Sequence, residues 1–209
     1  MVSIVTIERE YGCGGSDIAQ RVASRLDWKL WDQRLTAEIA RLAHCPQAVV
    51  EEREERNDPL YYRLFKSFMR GSYEGSINAP KLNLVDSETI LKITKRVVEH
   101  AAERGKCVIV GRGSQQFLKH REDTLRVFLY APREDKVRRL LARGKSEKEA
   151  EELIDSVDQE RADFIQKYFH VEWPARVIYH SMLNTTIGDE CVANMILSLV
   201  ETYETRCAP

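Results

Sequence analysis

Short runs of apolar residues alternate along the chain with longer stretches that are apolar on one side only. The runs 2–7, 107–110 and 127–130 are nearly continuous in apolar residues, which is typical of parallel strands covered on both faces. Between them, apolar residues recur at helical spacing, as they do from Ile18 to Leu26. The pattern therefore predicts alternating strands and helices.

The predicted elements give an α/β fold. Helical spacing predicts helices at residues 17–26, 34–43, 86–104, 133–143, 147–169 and 189–203. Two further short strands are predicted at residues 29–31 and 182–187. Strands alternating with helices of this length imply β-α-β crossovers and three layers, in which a doubly wound parallel sheet lies between helices. A chain of 209 residues suits one such domain, residues 1–209, with inserted subregions.

Two segments interrupt this order. Residues 57–84 combine aromatic residues with Pro and Gly and separate helices that a short connection would join. Within residues 144–175, the charged stretch 147–174 is predicted to form a helical hairpin over the carboxyl edge of the sheet. Two interpretations remain open for both segments: a flap and a lid over a ligand, or helices that only pack on the surface.

Composition excludes several classes of partner. The chain has 32 basic and 33 acidic residues and a formal net charge of −1, so we expect no nucleic-acid partner and no attraction to anionic membranes. Five widely spaced cysteines without a C-x-x-C pair indicate neither a disulfide framework nor a zinc site. No apolar run approaches the roughly 20 residues of a membrane helix, and the first residues do not resemble a secretory leader. We therefore predict a cytoplasmic protein.

A glycine-rich loop follows the first predicted strand. Residues 8–16 read Glu-Arg-Glu-Tyr-Gly-Cys-Gly-Gly-Ser and lead directly into a predicted helix. A helix begins with N–H groups that lack partners and with the positive end of its dipole, so a loop that wraps an anion there forms a phosphate site. The residues predicted to hold phosphates are Gly12, Cys13, Gly14, Gly15 and Ser16.

The loop departs from the P-loop pattern G-x-x-x-x-G-K-[ST]. When Gly14 and Ser16 are matched to the pattern, Arg9 stands at its first glycine and Gly15 at its lysine. Two interpretations remain open: either Arg9 returns the missing positive charge to the phosphates, or it pairs with a neighbouring glutamate and the charge is lost. The Ser16 hydroxyl is predicted to be a Mg²⁺ ligand or the N-cap of the helix.

Four motifs in chain order resemble the cytidylate kinase-like proteins, relatives of bacterial cytidylate kinase. They are Ile4-Val-Thr-Ile-Glu-Arg-Glu-Tyr-Gly-Cys-Gly-Gly-Ser-Asp-Ile-Ala19, Leu30-Trp-Asp-Gln-Arg34, Val108-Ile-Val-Gly-Arg-Gly113 and Asp158-Gln-Glu-Arg161. The resemblance spans nearly the whole chain. It implies a P-loop kinase domain that binds ATP with Mg²⁺, a site for a monophosphate acceptor on the opposite side, and a mobile lid that carries arginines. Residues 57–84 would then be an acceptor-side insertion and residues 144–175 the lid.

The resemblance also implies residues that contact the acceptor. Asp32 and Arg34 stand where the family contacts the acceptor nucleotide, although a helix cap with a surface arginine is the alternative. Arg112 follows an apolar strand, and ligands of open α/β sheets bind at the carboxyl ends of strands. We therefore predict that Arg112 binds the acceptor phosphate or base, since the planar guanidinium donates two parallel hydrogen bonds.

The predicted lid supplies further charges. Asp158 and Arg161 match the Asp-x-x-Arg of the family, where these residues hold the acceptor, although Ile154 stands where the family has a preceding arginine. An intrahelical ion pair explains their i, i+3 spacing equally well. Arg139 lies on the helix that leads to the lid, where the family keeps a cation for the transferred phosphoryl group. Arg9, Arg139 and Arg161 are accordingly the predicted catalytic cations.

The carboxylate that supports Mg²⁺ in this kinase group is absent from its usual place. The strand that ends at Val110 is followed by Gly111 rather than Asp. Glu8, Glu10 or Asp32 is the predicted substitute.

The favoured prediction is transfer of the ATP γ-phosphoryl group to a nucleoside monophosphate, with CMP or dCMP as acceptor and small-molecule nucleotides as partners. One alternative is a nucleotide-binding sensor or interaction protein with weak catalysis, because the loop lysine and the strand-end Asp are both missing. Another is a kinase for a different acceptor, because residues 57–84 would shape that site. The sequence leaves a homo-oligomer open.

Overall fold

Five parallel strands form the centre of the structure. The computed structural model describes residues 1–42 and 87–206, so the predicted insertion at 57–84 lies outside the described residues. The strands are β1 (Ile4–Arg9), β2 (Lys29–Trp31), β3 (Cys107–Val110), β4 (Thr124–Tyr130) and β5 (Ser181–Asn184). They lie in the order β2-β3-β1-β4-β5, and every neighbouring pair is parallel.

Helices cover both faces of this sheet. They are α1 (Gly15–Leu26), α2 (Gln33–Leu42), α3 (Ser87–Glu103), α4 (Ser114–Phe117), α5 (Arg133–Ala142), α6 (Glu147–Phe169) and α7 (Asp189–Arg206). None of these helices is long and apolar enough to span a membrane within the described ranges. The predicted helices are confirmed with shifts of a few residues at their ends, whereas α4 is too short to produce a detectable period.

Side chains that point alternately to the two faces of the sheet divide the core into two halves. Val5 and Ile7 of β1 pack with Val108 of β3 against α1 and α7. Ile4 and Ile109 point to the other face, where they pack against α2 and α3. Because successive side chains of a strand point to opposite faces, a strand covered on both sides is apolar throughout. The predicted three-layer α/β fold is therefore confirmed.

The strand order brings three loops to one edge of the sheet. Strand β3 pairs with β2 on one side and β1 on the other, with Trp31 opposite Ile109 and Ile7 opposite Val110. The strands are parallel, so the segments that follow all three lie side by side at their carboxyl ends. These segments are the glycine loop, the start of α2 and the Gly111–Gly113 turn.

The stretch 147–174 is not a helical hairpin, so that prediction is wrong. Residues 147–169 form the single helix α6. Its N-cap is Ser146, whose hydroxyl accepts from the Glu149 amide at 3.3 Å. The helix continues because Ile154 and Val157 pack at helical spacing against Tyr11. It ends at His170, which adopts a left-handed conformation.

Asp123 fastens the start of β1 to the start of β4. Its carboxylate accepts hydrogen bonds from Ser3 Oγ at 2.6 Å and from Arg121 Nε at 2.9 Å. Its main-chain carbonyl accepts from the amides of Ser3 and Ile4. The bonds from Arg121 are the main reason that the pKa of Asp123 falls to about 2.

We predict that Asp123→Asn lowers the free energy of unfolding by about 1 kcal/mol at pH 7, a figure reduced for partial exposure. Since the folded pKa of Asp123 lies below the unfolded value of 3.8, its contribution is present above that value. It is lost as the pH falls towards about 2. Urea unfolding at several pH values measures the effect. Glu122→Gln, an exposed neighbour, is the control, and an equal loss at every pH would contradict the prediction.

Candidate functional site

Glycines shape the loop between β1 and α1. Gly12 and Gly14 have φ angles of 78° and 84°, a left-handed conformation that other residues rarely adopt. A Cβ on Gly12 would also lie 3.2 Å from the Cβ of Lys136 on α5. Helix α1 begins at Gly15, and its N-cap is Gly14, which has no side chain to cap the first turn. The start of α1 therefore leaves backbone N–H groups without a side-chain cap beside the glycine loop, an arrangement that can hold an anion.

The N-cap interpretation of Ser16 is wrong, because Ser16 lies inside the first turn of α1. Its hydroxyl donates instead to Asp32 Oδ2 at 3.0 Å. This bond links the glycine loop to the end of β2, where Asp32 precedes α2.

Arg9 occupies the space that a side chain at position 15 would need. A Cβ on Gly15 would lie 2.8 Å from Arg9 Cγ and 2.9 Å from Arg9 Cβ. The far end of the same side chain lies against Gly111, where an added Cβ would collide with Arg9 Nη1. Arg9 thus extends from the first residue of α1 to the turn after β3. A lysine at position 15 would have no room beside it.

Three buried arginines surround Asp32. Arg9, Arg112 and Arg161 are 4%, 6% and 9% exposed, and each of them acts to lower the pKa of Asp32. Burial outweighs this attraction, so the pKa of Asp32 is raised. Burial also lowers the pKa of Arg112 to about 9, with Arg9 adding to the effect and Asp32 opposing it. The cluster holds several positive charges where water is excluded, which suits a phosphate.

The turn after β3 directs Arg112 into this cluster. Gly111, Arg112 and Gly113 have φ angles of 66°, 62° and 67°, so three successive residues are left-handed. For Arg112 this conformation costs about 1 kcal/mol or more, and strain of this kind concentrates at functional sites. The predicted contact of Arg112 with an acceptor remains a prediction.

Asp32 and Ser16 fit a magnesium ion. Asp32 is 6% exposed, and its Oδ1 has no hydrogen-bond partner among the described residues. Mg²⁺ takes one or two protein oxygens and completes its shell with phosphates and water. The described ranges contain no cluster of three or more His, Cys, Asp or Glu residues that would form a site by itself.

The other two carboxylates considered for Mg²⁺ are engaged elsewhere. Glu8 accepts from Gln115 Nε2 at 3.0 Å and from the Arg9 amide at 3.1 Å. Glu10 accepts from Lys136 Nζ at 3.0 Å. The geometry therefore favours Asp32 as the supporting carboxylate.

Asp158 and Arg161 form the ion pair that their spacing allows, at 3.1 Å. Both also contact the glycine loop. The Tyr11 amide donates to Asp158 Oδ1 at 2.7 Å, and Arg161 Nη1 donates to the Arg9 carbonyl at 2.7 Å. Lys136, which the sequence did not single out, also reaches Asp158, with Nζ at 3.3 Å from Oδ2. A lone lysine on an amphipathic helix carries no signal that would reveal this role.

Arg139 and Arg34 are more exposed than the three buried arginines. A Cβ on Gly14 would lie 3.1 Å from Arg139 Cζ, so this guanidinium lies against the glycine loop. Arg139 also pairs with Asp189 at 2.7 Å. Arg34 is exposed in the first turn of α2, and it adds to the effect of burial in lowering the pKa of Lys29. The catalytic role of Arg139 and the acceptor role of Arg34 remain predictions.

Aromatic residues cover the turn after β3, which the sequence did not indicate. A Cβ on Gly113 would lie 3.0 Å from Phe169 Cε2. Phe169 packs edge-on against Phe117, with ring centroids 5.2 Å apart, and against Phe164 at 6.1 Å. The end of α6 therefore closes over the Arg112 turn.

Comparison with known proteins agrees with this geometry. The sequence model of the cytidylate kinase-like family matches residues 4–187. None of the curated proteins matches the chain.

Solved structures share the fold, and three of them are described here. An uncharacterized protein from Eubacterium ventriosum has a TM-score of 0.68 at 19% identity, and the match covers 97% of this chain and 99% of that protein's chain. Shikimate kinase from Acinetobacter baumannii, in complex with shikimate, has a TM-score of 0.53 at 17% identity and coverages of 97% and 94%. Shikimate kinase from Bacteroides thetaiotaomicron has a TM-score of 0.52 at 16% identity and coverages of 96% and 99%. The predicted P-loop kinase fold is confirmed.

We predict that Gly15→Ala destabilises the protein by about 1–3 kcal/mol, because the new methyl group crowds Arg9. In an Arg9→Gly background the same change should cost nothing or stabilise, since Ala is the better helix former. Thermal unfolding of the four proteins in this double-mutant cycle gives the coupling energy. Additive effects would show that Arg9 does not occupy this space.

Proposed function

The chain belongs to the cytidylate kinase-like family, and on that premise we propose that it transfers the γ-phosphoryl group of ATP to a nucleoside monophosphate, with CMP or dCMP as the favoured acceptor. The observation that carries the proposal is the cluster of Arg9, Arg112 and Arg161 around Asp32, beside the glycine loop. Phosphoryl transfer is catalysed mainly by positioning and by cations placed where negative charge develops. Fold alone does not select the acceptor. The proposal of a monophosphate acceptor therefore rests on the positive charges of the site.

The donor side of the proposal uses the glycine loop. Backbone amides from Gly12 to Ser16 would bind the phosphates of ATP at the start of α1. Ser16 and Asp32 would hold Mg²⁺, joined as they are by a hydrogen bond of 3.0 Å. When bound, the ion neutralises charge on the donor phosphates. Arg9 pairs with Glu8 at 3.9 Å, as one of its two interpretations predicts. In this proposal it would still supply the positive charge that the loop lacks at Gly15.

The acceptor side of the proposal uses Arg112. A phosphate monoester has its second pKa near 6, so its attacking oxygen is already deprotonated at neutral pH and needs no general base. Arg112 would orient two phosphate oxygens through its guanidinium, and Arg161 would add charge from α6. A hydroxyl acceptor would need a base. Glu8 and Glu10 are held by other side chains, and in this proposal Asp32 is used for Mg²⁺. The buried arginines support a monophosphate, because they would bind its negative charge.

A second candidate function is nucleotide binding with little or no turnover. Gly15 in place of the loop lysine and Gly111 in place of the strand-end Asp favour it. Both candidates require ATP binding, and they differ in whether an acceptor stimulates release of ADP.

We predict ADP release with ATP and Mg²⁺ that is stimulated by CMP or dCMP. A coupled assay against nucleoside monophosphates and small hydroxy metabolites, with an acceptor-free control, measures it. Arg112→Ala should lower kcat/KM for the acceptor about 100-fold or more, since it removes a buried charge-assisted contact. Arg138→Ala, at an arginine that is 73% exposed on α5, is the matched control. ATP binding without stimulation by any acceptor would favour the second candidate.

A charge-relocation experiment tests the role of Arg9. Arg9→Gly and Gly15→Lys should each reduce turnover, the first by removing the charge and the second by crowding the loop. The double variant restores the pattern G-x-x-x-x-G-K-[ST], and we expect it to be more active than either single variant. Initial rates at saturating ATP give the comparison. A double variant no better than the worse single variant would argue against a phosphate role for Arg9.

A further inference from the structure

A partly buried chain of polar groups joins the glycine loop to α5 and α6. Lys136 on α5 lies 3.0 Å from Glu10 Oε2 and 3.3 Å from Asp158 Oδ2, and its side chain is only 9% exposed. Asp158 uses its other oxygen for the Tyr11 amide at 2.7 Å and for Arg161 at 3.1 Å. Both oxygens of Asp158 are therefore occupied by groups of this chain.

The chain of contacts fixes three successive residues of the loop. Arg161 binds the Arg9 carbonyl, Lys136 binds the Glu10 carboxylate and Asp158 binds the Tyr11 amide. The Tyr11 side chain is itself buried among Ile154 and its neighbours on α5 and α6. The residues that follow include three glycines, which have wide conformational freedom. Contacts just before the glycines therefore decide the direction in which the loop begins.

We infer that Lys136 and Asp158 are positioning residues, which hold the glycine loop in its phosphate-binding shape rather than contacting the acceptor. Their effect passes through the Glu10 side chain and the Tyr11 amide. The inference rests on the proposed function in one respect, namely that this loop binds the donor phosphates. It assigns Asp158 a role different from the one that its motif predicts.

The two roles of Asp158 differ in which substrate they affect. Loss of a residue that positions the loop weakens ATP binding and leaves the KM of the acceptor nearly unchanged. Loss of a residue that contacts the acceptor raises the KM of the acceptor and leaves ATP binding nearly unchanged. A residue that merely holds α5 against α6 alters stability and neither constant.

The experiment compares Asp158→Ala with Asp155→Ala. Asp155 also joins α6 to α5, through Arg133 Nη2 at 3.0 Å, but the pair is 46% and 66% exposed and touches no loop residue. In the ligand-free protein, hydrogen exchange of the Tyr11 amide followed by NMR should accelerate about 10-fold or more in Asp158→Ala, because a charge-assisted hydrogen bond is lost. Asp155→Ala should leave that rate unchanged.

Substrate constants complete the test. The dissociation constant of ATP, measured by calorimetry, should rise about 10-fold in Asp158→Ala and in Lys136→Met. The KM of CMP should stay within about twofold. Lys136→Arg should restore most of the ATP affinity, because it keeps the charge.

Unchanged Tyr11 exchange in Asp158→Ala would overturn the inference, and so would intact ATP affinity with a raised KM for CMP. If Asp158→Ala fails to fold by circular dichroism, Asp158→Leu fills a similar space without an acceptor oxygen and is held to the same exchange criterion. The exchange measurement needs no substrate. Accelerated exchange in a chain whose wild type shows no acceptor-stimulated ADP release would uphold the positioning contacts and reject the proposed function alone.

Discussion

Burial of three guanidinium groups at one edge of the sheet is the condition on which the rest of the site depends. Like charges a few ångströms apart repel by several kcal/mol when screening is incomplete, and removal from water adds to that cost. Burial lowers the pKa of Arg112, and Arg9 lowers it further, while Asp32 offsets part of the repulsion. A dianionic phosphate would offset more of it than one carboxylate does. These charges therefore support the proposal of a ligand that brings negative charge.

The glycines around this site make room for arginines. Added Cβ atoms at Gly14, Gly15 and Gly111 would meet the side chains of Arg139, Arg9 and again Arg9. In sequence, Gly15 looks like the loss of the loop lysine. In space, the same position is filled by the stem of Arg9, so the substitution at 15 and the arginine at 9 form one structural exchange. Only a comparison of both positions in three dimensions shows this.

Local patterns predicted the fold well and the site only in part. Strand β3 and the helical span of α6 were predicted with their observed ends, because a continuous apolar run and a helical period are local signals. The hairpin expected at 147–174 was wrong, since no local signal shows how a helix continues in space. The hydrogen bond from Tyr11 to Asp158 joins residues 147 positions apart, and no periodicity encodes such a contact. Of the two interpretations of Ser16, the N-cap was wrong, and the hydrogen bond to Asp32 was not predicted because Asp32 follows a different strand. Polar contacts between residues far apart in the chain were thus the part of the site that could not be predicted from the sequence.

Helix α6 connects the two sides of the proposed reaction. Near its middle, Asp158 and Arg161 bind the loop after β1. At its end, Phe169 lies against Gly113 in the turn after β3. Lifting the helix would remove the partners of the Tyr11 amide and the Arg9 carbonyl, and a buried group left without its partner costs about 1–3 kcal/mol. If α6 moved as one rigid helix, it would therefore change the glycine loop and the Arg112 turn together. Release of the contacts at one of these segments would then be coupled to release at the other.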